Sequence, residues 1–423
     1  MNIAGQNRLD EAGRAATAVR PGPLSALLRG GRLPLYVALC LVLLLFARSA
    51  SSWAQFFTAP SEANGNRVVL FTQADYPAVV IASRLAAGRH GGELYDLHTQ
   101  LVEQERLVRE GYLALAPGAD LKYPYPYAPF IAMLMSPFSA LSPLHQMALW
   151  DLLNIAGMAV GLAYLLWSMP LPAAARGLLL LGGLSSFPFI VNLEQGQSSG
   201  IVALGLGLGI ALLSKGHEGR GGLALGLLLL KVQWLPFIVL VLLWKRRWRA
   251  LGGMALTGAV LLSATTLLLG TSWLPGYFTM FERAQAFSRE LMLDPYYSHS
   301  LTGLLAGVLG NGHDALIRIA NSAALAAFAL LLLYLWRRKW KPGSPGWQGL
   351  MSATLLTTML TNVMLNTHDL SLLVLPGALG LSYLYNAAGS QRRLIACWGA
   401  LLWGGYIITS LVSPGQLLAM PVR

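Results

Sequence analysis

Charge is what this chain is short of. Only 11% of its 423 residues are Asp, Glu, Lys or Arg, where a soluble domain carries about 25%. A soluble globular protein is therefore excluded. Cysteine is scarce too: Cys40 and Cys397 both lie inside apolar stretches, which argues against a disulfide framework or a cysteine metal site. There is no GxxxxGK[ST] phosphate loop and no HExxH pair, and no GxSxG nucleophile elbow is expected, so P-loop, zincin and serine-hydrolase chemistry are set aside. No period of 20–50 residues points to a repeat architecture.

What the chain has instead is apolar length. Hydrophobic residues make up 55% and the mean hydropathy is +0.55. Apolar segments lie near 33–53, 127–141, 145–168, 171–191, 198–214, 222–244, 250–270, 300–311, 315–336, 348–366, 369–387 and 393–412. Most reach the roughly 18–20 residues needed to cross about 30 Å of hydrocarbon. All are read as helices, because lipid-exposed open sheet leaves its backbone unpaired. The segments 127–141 and 300–311 are short for a full span. The expectation is an all-α polytopic membrane protein with about 11–12 transmembrane or re-entrant helices. Residues 1–32 form a disordered cytoplasmic tail before an uncleaved signal anchor, and 33–423 form one membrane domain.

The formal charge of +12 does not mark a nucleic-acid binder. The basic residues sit in short runs between apolar segments, at Lys245–Arg249, Arg337–Lys341 and Arg392–Arg393, which is the positive-inside pattern rather than one basic face. It places these loops and the N-terminus in the cytoplasm of a plasma (inner) membrane protein. The polar insert 54–123, the loop 271–297 and the turn Asn366–Asp369 fall outside. Within the insert, 76–87 and 96–115 read as amphipathic helices lying along the membrane surface. Segment 222–244 is ambiguous: it is long enough to cross once, yet basic loops flank both ends, and Lys231 and Pro236 sit in its middle.

Several polar residues interrupt this background. Asp75, just after the first apolar segment, suits a general base at the membrane rim. It also suits a helix N-cap, since Tyr76-Pro77 follows. Lys231 lies among leucines, where an ammonium costs a few kcal/mol unless it meets a partner or faces a cavity. A lipid phosphate is one such partner, and a structural ion pair or snorkelling is the other reading. His368 and Asp369 sit in a tight outer turn, able to orient a hydroxyl or a phosphate or simply to make the turn. His299 is a similar case. Gln195 and Gln197 carry amides that bind sugar hydroxyls or form turns. Tyr76, Lys122, Tyr123 and Tyr125 offer aromatic faces and a cation, although interfacial tyrosine belts look alike. No metal cluster and no cofactor are implied.

In order, these pieces resemble a known family. The sequence runs from Asp75-Tyr76 through Gly88 to Leu94-Tyr95-Asp96. Tyr125-Pro126-Tyr127-Ala128-Pro129-Phe130 follows, then Ser136-Pro137-Phe138 and Asn192 to Ser198. Gly222 to Gly226 leads on to Lys231 and Pro236, and a His-Asp turn closes the series. This pattern resembles glycosyltransferase family 87, the polyprenyl-phosphate-mannose-dependent mannosyltransferases and their relatives, over most of 70–390. The resemblance implies a GT-C-type membrane fold. It also implies inverting transfer from a polyprenyl-phosphate sugar to a lipid, glycan or protein acceptor outside the membrane. It maps the family's base onto Asp75, its intramembrane lysine onto Lys231 and its late histidine onto His368. The family often has Tyr-Pro-Pro and Gly-Gln-x-Asn where this chain has Tyr-Pro-Tyr-Ala-Pro and Gly-Gln-Ser-Ser. Mannose is the first expectation for the donor, with arabinofuranose and glucose as alternatives. A lipid or glycan transporter fits the intramembrane charge as well, and a lipid-diphosphate-dependent polymerase or ligase is a third reading.

Overall fold

A computed structural model describes residues 75–88, 91–113, 115, 118–287, 298–309, 313–362 and 365–387, together with 40, 43, 44, 47 and 51. The apolar segments near 33–53 and 393–412, and the tail before them, lie essentially outside the described residues. Within these, the chain is all-helical and carries five helices long and apolar enough to cross a membrane.

The chain enters on α1 (Tyr76–Ala87) and α2 (Leu97–Arg109), and then the short α3 (Pro129–Met135). α4 (Pro143–Trp167) is the first long span. It starts at Ser142, whose hydroxyl accepts from the His145 amide, with Pro143 in the first turn, the usual capped and proline-led start. α5 (Ala173–Ser185) and α6 (Phe187–Glu194) form one span broken at Ser186, just before Pro188. α7 (Ser199–Ser214) returns parallel to α4. Close backbone contact holds the pair: Gly157 faces Gly200, and Gly161 faces Ala203 and Gly207. Small residues permit such approach where lipid supplies no hydrophobic drive.

Segment 222–244 folds back on itself. α8 (Glu218–Leu225) runs antiparallel to α7, with Gly221 on Gly209 and Leu213. It continues as a 3₁₀ stretch (Gly226–Trp234) and returns as α9 (Pro236–Trp244). α10 (Trp248–Leu269) then rises parallel to α8: Gly219 and Gly222 meet Gly253 and Ala250, Thr257 Oγ1 donates to the Leu223 carbonyl, and Gly258 meets Leu229. Both basic loops therefore share one end of the bundle, and Arg247 pairs with Glu218 across them at 3.0 Å. Lys231 sits inside the hairpin with non-helical φ/ψ of −136° and 82°. The third basic loop joins the same face. There Lys245 Nζ donates to the Arg338 carbonyl at 2.6 Å and the Arg247 guanidinium stacks on Trp340.

Beyond α10, the chain forms α11 (Trp273–Phe287), α12 (Leu301–Leu309), α13 (Asp314–Leu335), α14 (Pro345–Leu360) and α15 (Val374–Ala387). The region expected to be a plain loop at 271–297 thus contains a helix up to Phe287. The segments near 127–141 and 300–311 are indeed short helices. A 3₁₀ turn (Thr367–Leu373) precedes α15, which runs antiparallel to α14 through bonds from Ser352 to the Pro376 carbonyl and from Ser382 to Gln348.

The insert differs from expectation. α1 is not an amphipathic helix with one wet face, since ten of its twelve residues are buried. Its ring of Val79, Val80, Ile81 and Leu85 packs into an outer core with Tyr125, Met135, Trp150 and Leu269. α2 is amphipathic but ends at Arg109, and its buried stripe is mostly polar: Gln100, Glu103, Gln104 and Leu107. Gln104 Oε1 accepts from the Lys122 and Tyr123 amides, and Gln100 Oε1 from the Tyr125 amide. A segment outside the helices thereby satisfies part of its backbone.

Candidate functional site

The candidate site lies at the end of the bundle opposite the basic loops. α7 spans roughly 24 Å for its sixteen residues at 1.5 Å per residue. Its N-terminus at Ser199 is at the site, and its C-terminus is at the basic face.

Asp75 occupies the N-cap position of α1, with Pro77 in the first turn, yet its carboxylate makes no capping bond. It accepts instead from Gln197 Nε2 at 2.8 Å, a residue 122 positions away. The cap reading holds for the backbone position and fails for the side chain. Part of the Asp75 surface is open to solvent. Even so, the protein packed around the carboxylate raises its pKa above 3.8 by desolvation, against the lowering effects of the Gln197 hydrogen bond and the Lys231 charge.

Gln197 reaches Asp75 because of the turn before it. Gly196 has φ +67°, and a Cβ there would run into the Tyr76 ring, so glycine is required on both counts. Trp150 Nε1 donates to the Gly196 carbonyl at 2.8 Å, and the Asn192 carbonyl accepts from the Gln197 amide. Residues Gly196–Gly200 do spell G-x-S-x-G. They join helix α6 to helix α7 rather than a strand to a helix, so this is no nucleophile elbow.

The second half of the site is charged. Lys231 Nζ meets Asp369 Oδ1 at 2.7 Å, with both side chains buried. Ser199 Oγ donates to the same oxygen at 3.4 Å, while Asp369 Oδ2 accepts from the Asn366 amide in a capping box. His368 Nδ1 contacts Gln195 Oε1 at 2.9 Å, a pairing in which a protonated Nδ1 donates to the amide oxygen. Its Nε2 stands 3.4 Å from Asp369 Oδ2. His299 Nε2 contacts Thr367 Oγ1 at 3.0 Å, and its backbone amide bonds the Leu365 carbonyl. Burial lowers the His299 pKa below 6.5.

The tyrosines divide by position. Tyr127, absent from the sequence-based set, accepts from Gln197 Nε2 at 3.3 Å. Its signal was the alternation Tyr123-Pro-Tyr125-Pro-Tyr127, in which the rings take different sides. Tyr123 is near enough to Asp75 for that charge, after desolvation, to help push its phenol up to about 12. Tyr125 is turned inward: its hydroxyl donates to the Ala128 carbonyl and accepts from the Ala132 amide. Tyr76 is fully buried against Gly196. Lys122 is exposed, 5.9 Å from the centre of the Tyr123 ring. Ser199 and Asn366 were also missed, since nothing in their local sequence distinguishes them from turn residues. Among the described residues, no group of three or more His, Cys, Asp or Glu side chains could hold a metal ion.

No curated protein and no solved structure matches the chain. A family model does, over residues 125–365, more than half of the sequence, with Asp75 and the His368–Asp369 turn flanking the matched span. The chain belongs to glycosyltransferase family 87.

Proposed function

We propose that the protein transfers one sugar, with inversion, from a polyprenyl-phosphate donor to a hydroxyl of a lipid-linked, glycan or protein acceptor on the extracytoplasmic side of the membrane. Mannose is the donor sugar favoured by the resemblance. The observation that carries the reading is Asp75, an N-cap carboxylate that leaves its own helix unbonded and is held by Gln197 within reach of the Lys231 charge.

In this reading the acceptor hydroxyl gives its proton to Asp75 as its oxygen attacks the anomeric carbon. The bond from that carbon to the phosphate oxygen breaks on the opposite face, and the electron pair leaves with the polyprenyl phosphate. Lys231 has three donors, of which Asp369 takes one. The remaining two stabilise the departing phosphate where its charge develops, with His368 beside them. Gln195, His299, Asp369, Tyr76, Tyr123, Tyr125 and Lys122 remain proposed contributors to substrate binding. For Tyr125 and Tyr76, burial makes that role one of shaping the wall. Sidedness rests on the basic loops gathering at the far end.

Family membership favours a glycosyltransferase over the transporter reading. The test is transfer of labelled sugar in nanodiscs from polyprenyl-phosphate-mannose, -arabinose or -glucose into a membrane lipid extract, with wild type beside Asp75→Asn. Product from wild type and none from the variant supports the proposal. Full turnover by Asp75→Asn removes the base assignment, and no product from any donor overturns the donor class.

A further inference from the structure

Gln197 has a carboxylate on one side and a phenol on the other. Its Nε2 lies 2.8 Å from Asp75 Oδ2 and 3.3 Å from Tyr127 Oη. An ionised carboxylate only accepts, so the amide nitrogen must be the atom that faces it. Its two protons then go to Asp75 and to Tyr127. We infer that Gln197 is a positioning residue, anchored by Tyr127, that fixes which oxygen of Asp75 takes the acceptor proton. This rests on Asp75 being the base.

The geometry behind it is specific. With Oδ2 held by Gln197, Oδ1 has no partner among the described residues and is the oxygen left for an acceptor hydroxyl. Gln197 itself is buried and its backbone is pinned at Asn192 and Trp150, so the turn fixes where its side chain starts, and the bonds to Asp75 and Tyr127 fix where the amide ends. With both amide protons in use, Gln197 has none left for a sugar hydroxyl. That role passes to the Tyr127 hydroxyl, which accepts from Gln197 and retains its own proton to donate. The charged and titratable groups acting on this trio are Lys231, Asp369 and Tyr123.

The test uses the polyprenyl-phosphate sugar that supports turnover, in nanodiscs, with kcat and donor KM measured across pH. Gln197→Leu removes a hydrogen bond to the charged form of Asp75, so the acidic limb moves to higher pH. Its kcat falls at least tenfold while donor KM stays within about twofold. Tyr127→Phe shifts the limb the same way by less. A swap separates orientation from folding: Asp75→Glu lengthens the acid by one methylene and Gln197→Asn shortens the amide by one. Each alone loses activity, and the double variant recovers at least tenfold over the worse single variant, a coupling that independent sites do not show. A limb and kcat unchanged in Gln197→Leu, or no recovery in the swap, overturns the inference. If Asp75→Asn keeps full turnover, the base assignment fails first, which is a different result.

Discussion

Lys231 and Asp369 meet at 2.7 Å across 138 residues of sequence, joining a break inside the hairpin to the 3₁₀ turn that opens α15. Neither residue is replaceable alone. A buried charge that loses its partner costs roughly 3–5 kcal/mol. Lys231→Met and Asp369→Asn each lower thermal stability in detergent, and the double variant is more stable than either single one. Thermal unfolding of the four proteins measures this; additive losses would show that the pair is not coupled.

Asp75 behaves in the opposite way. Its folded pKa is raised, so its contribution to stability is greatest below the unfolded carboxylate value and is lost as pH rises through the folded value. At neutral pH the charge is a burden to the fold. Asp75→Asn keeps an oxygen for Gln197, so its melting temperature at pH 7 equals or exceeds that of wild type while transfer falls at least about 100-fold. The wild-type pH–rate profile has an acidic limb above pH 3.8. A melting temperature several degrees lower at pH 7 would count against this account.

Gly196→Ala is a test of the turn. The φ of +67° and the Tyr76 ring both oppose a side chain. Backbone strain of this kind costs on the order of 1–3 kcal/mol, and Gln197 moves with the turn. The variant loses both stability and turnover, whereas Gly252→Ala, which meets open space inside α10, leaves turnover unchanged and does not lower stability.

The hairpin makes a topological prediction. In a chain with Cys40 and Cys397 replaced, single cysteines at Lys215 and Arg249 react with an impermeant thiol reagent from the same side of the membrane, and one at Lys122 reacts from the other. All three positions are exposed. Labelling of Lys215 and Arg249 from opposite sides would mean that 222–244 crosses.

Much of this is legible in the sequence. The apolar runs located α4, α7, α10 and α13, because lipid demands length and hydrogen-bond closure and both are written in composition. Asp75, Lys231 and His368 stood out because a charge in an apolar setting has few reasons to be there. What was hidden was pairing. That Lys231 belongs to Asp369, or Asp75 to Gln197, depends on contacts 138 and 122 residues apart, which no local pattern encodes. α1 was misjudged for a related reason: its residues look one-sided only if one side is left wet, and the Tyr125–Trp150 core covers both. Hydropathy leaves 222–244 open, since length alone permits one crossing or two half-crossings. The glycines at 219, 222 and 253 let α8 and α10 lie parallel, so the segment folds back and both its ends meet one face of the bundle.

Those glycines also act as a depth gauge. Gly222 abuts the Ala250 carbonyl and Gly253 abuts the Gly219 carbonyl so closely that neither position has room for a methyl group. The seam sits at the basic end of the hairpin, far from any reacting atom. Yet it fixes how far α8 can slide along α10, and so sets the height at which Lys231 is held in the bundle. A bulky residue in the seam would change the level of the ammonium without substituting any residue of the site, so the vertical register of the chemistry is set from the opposite face of the molecule.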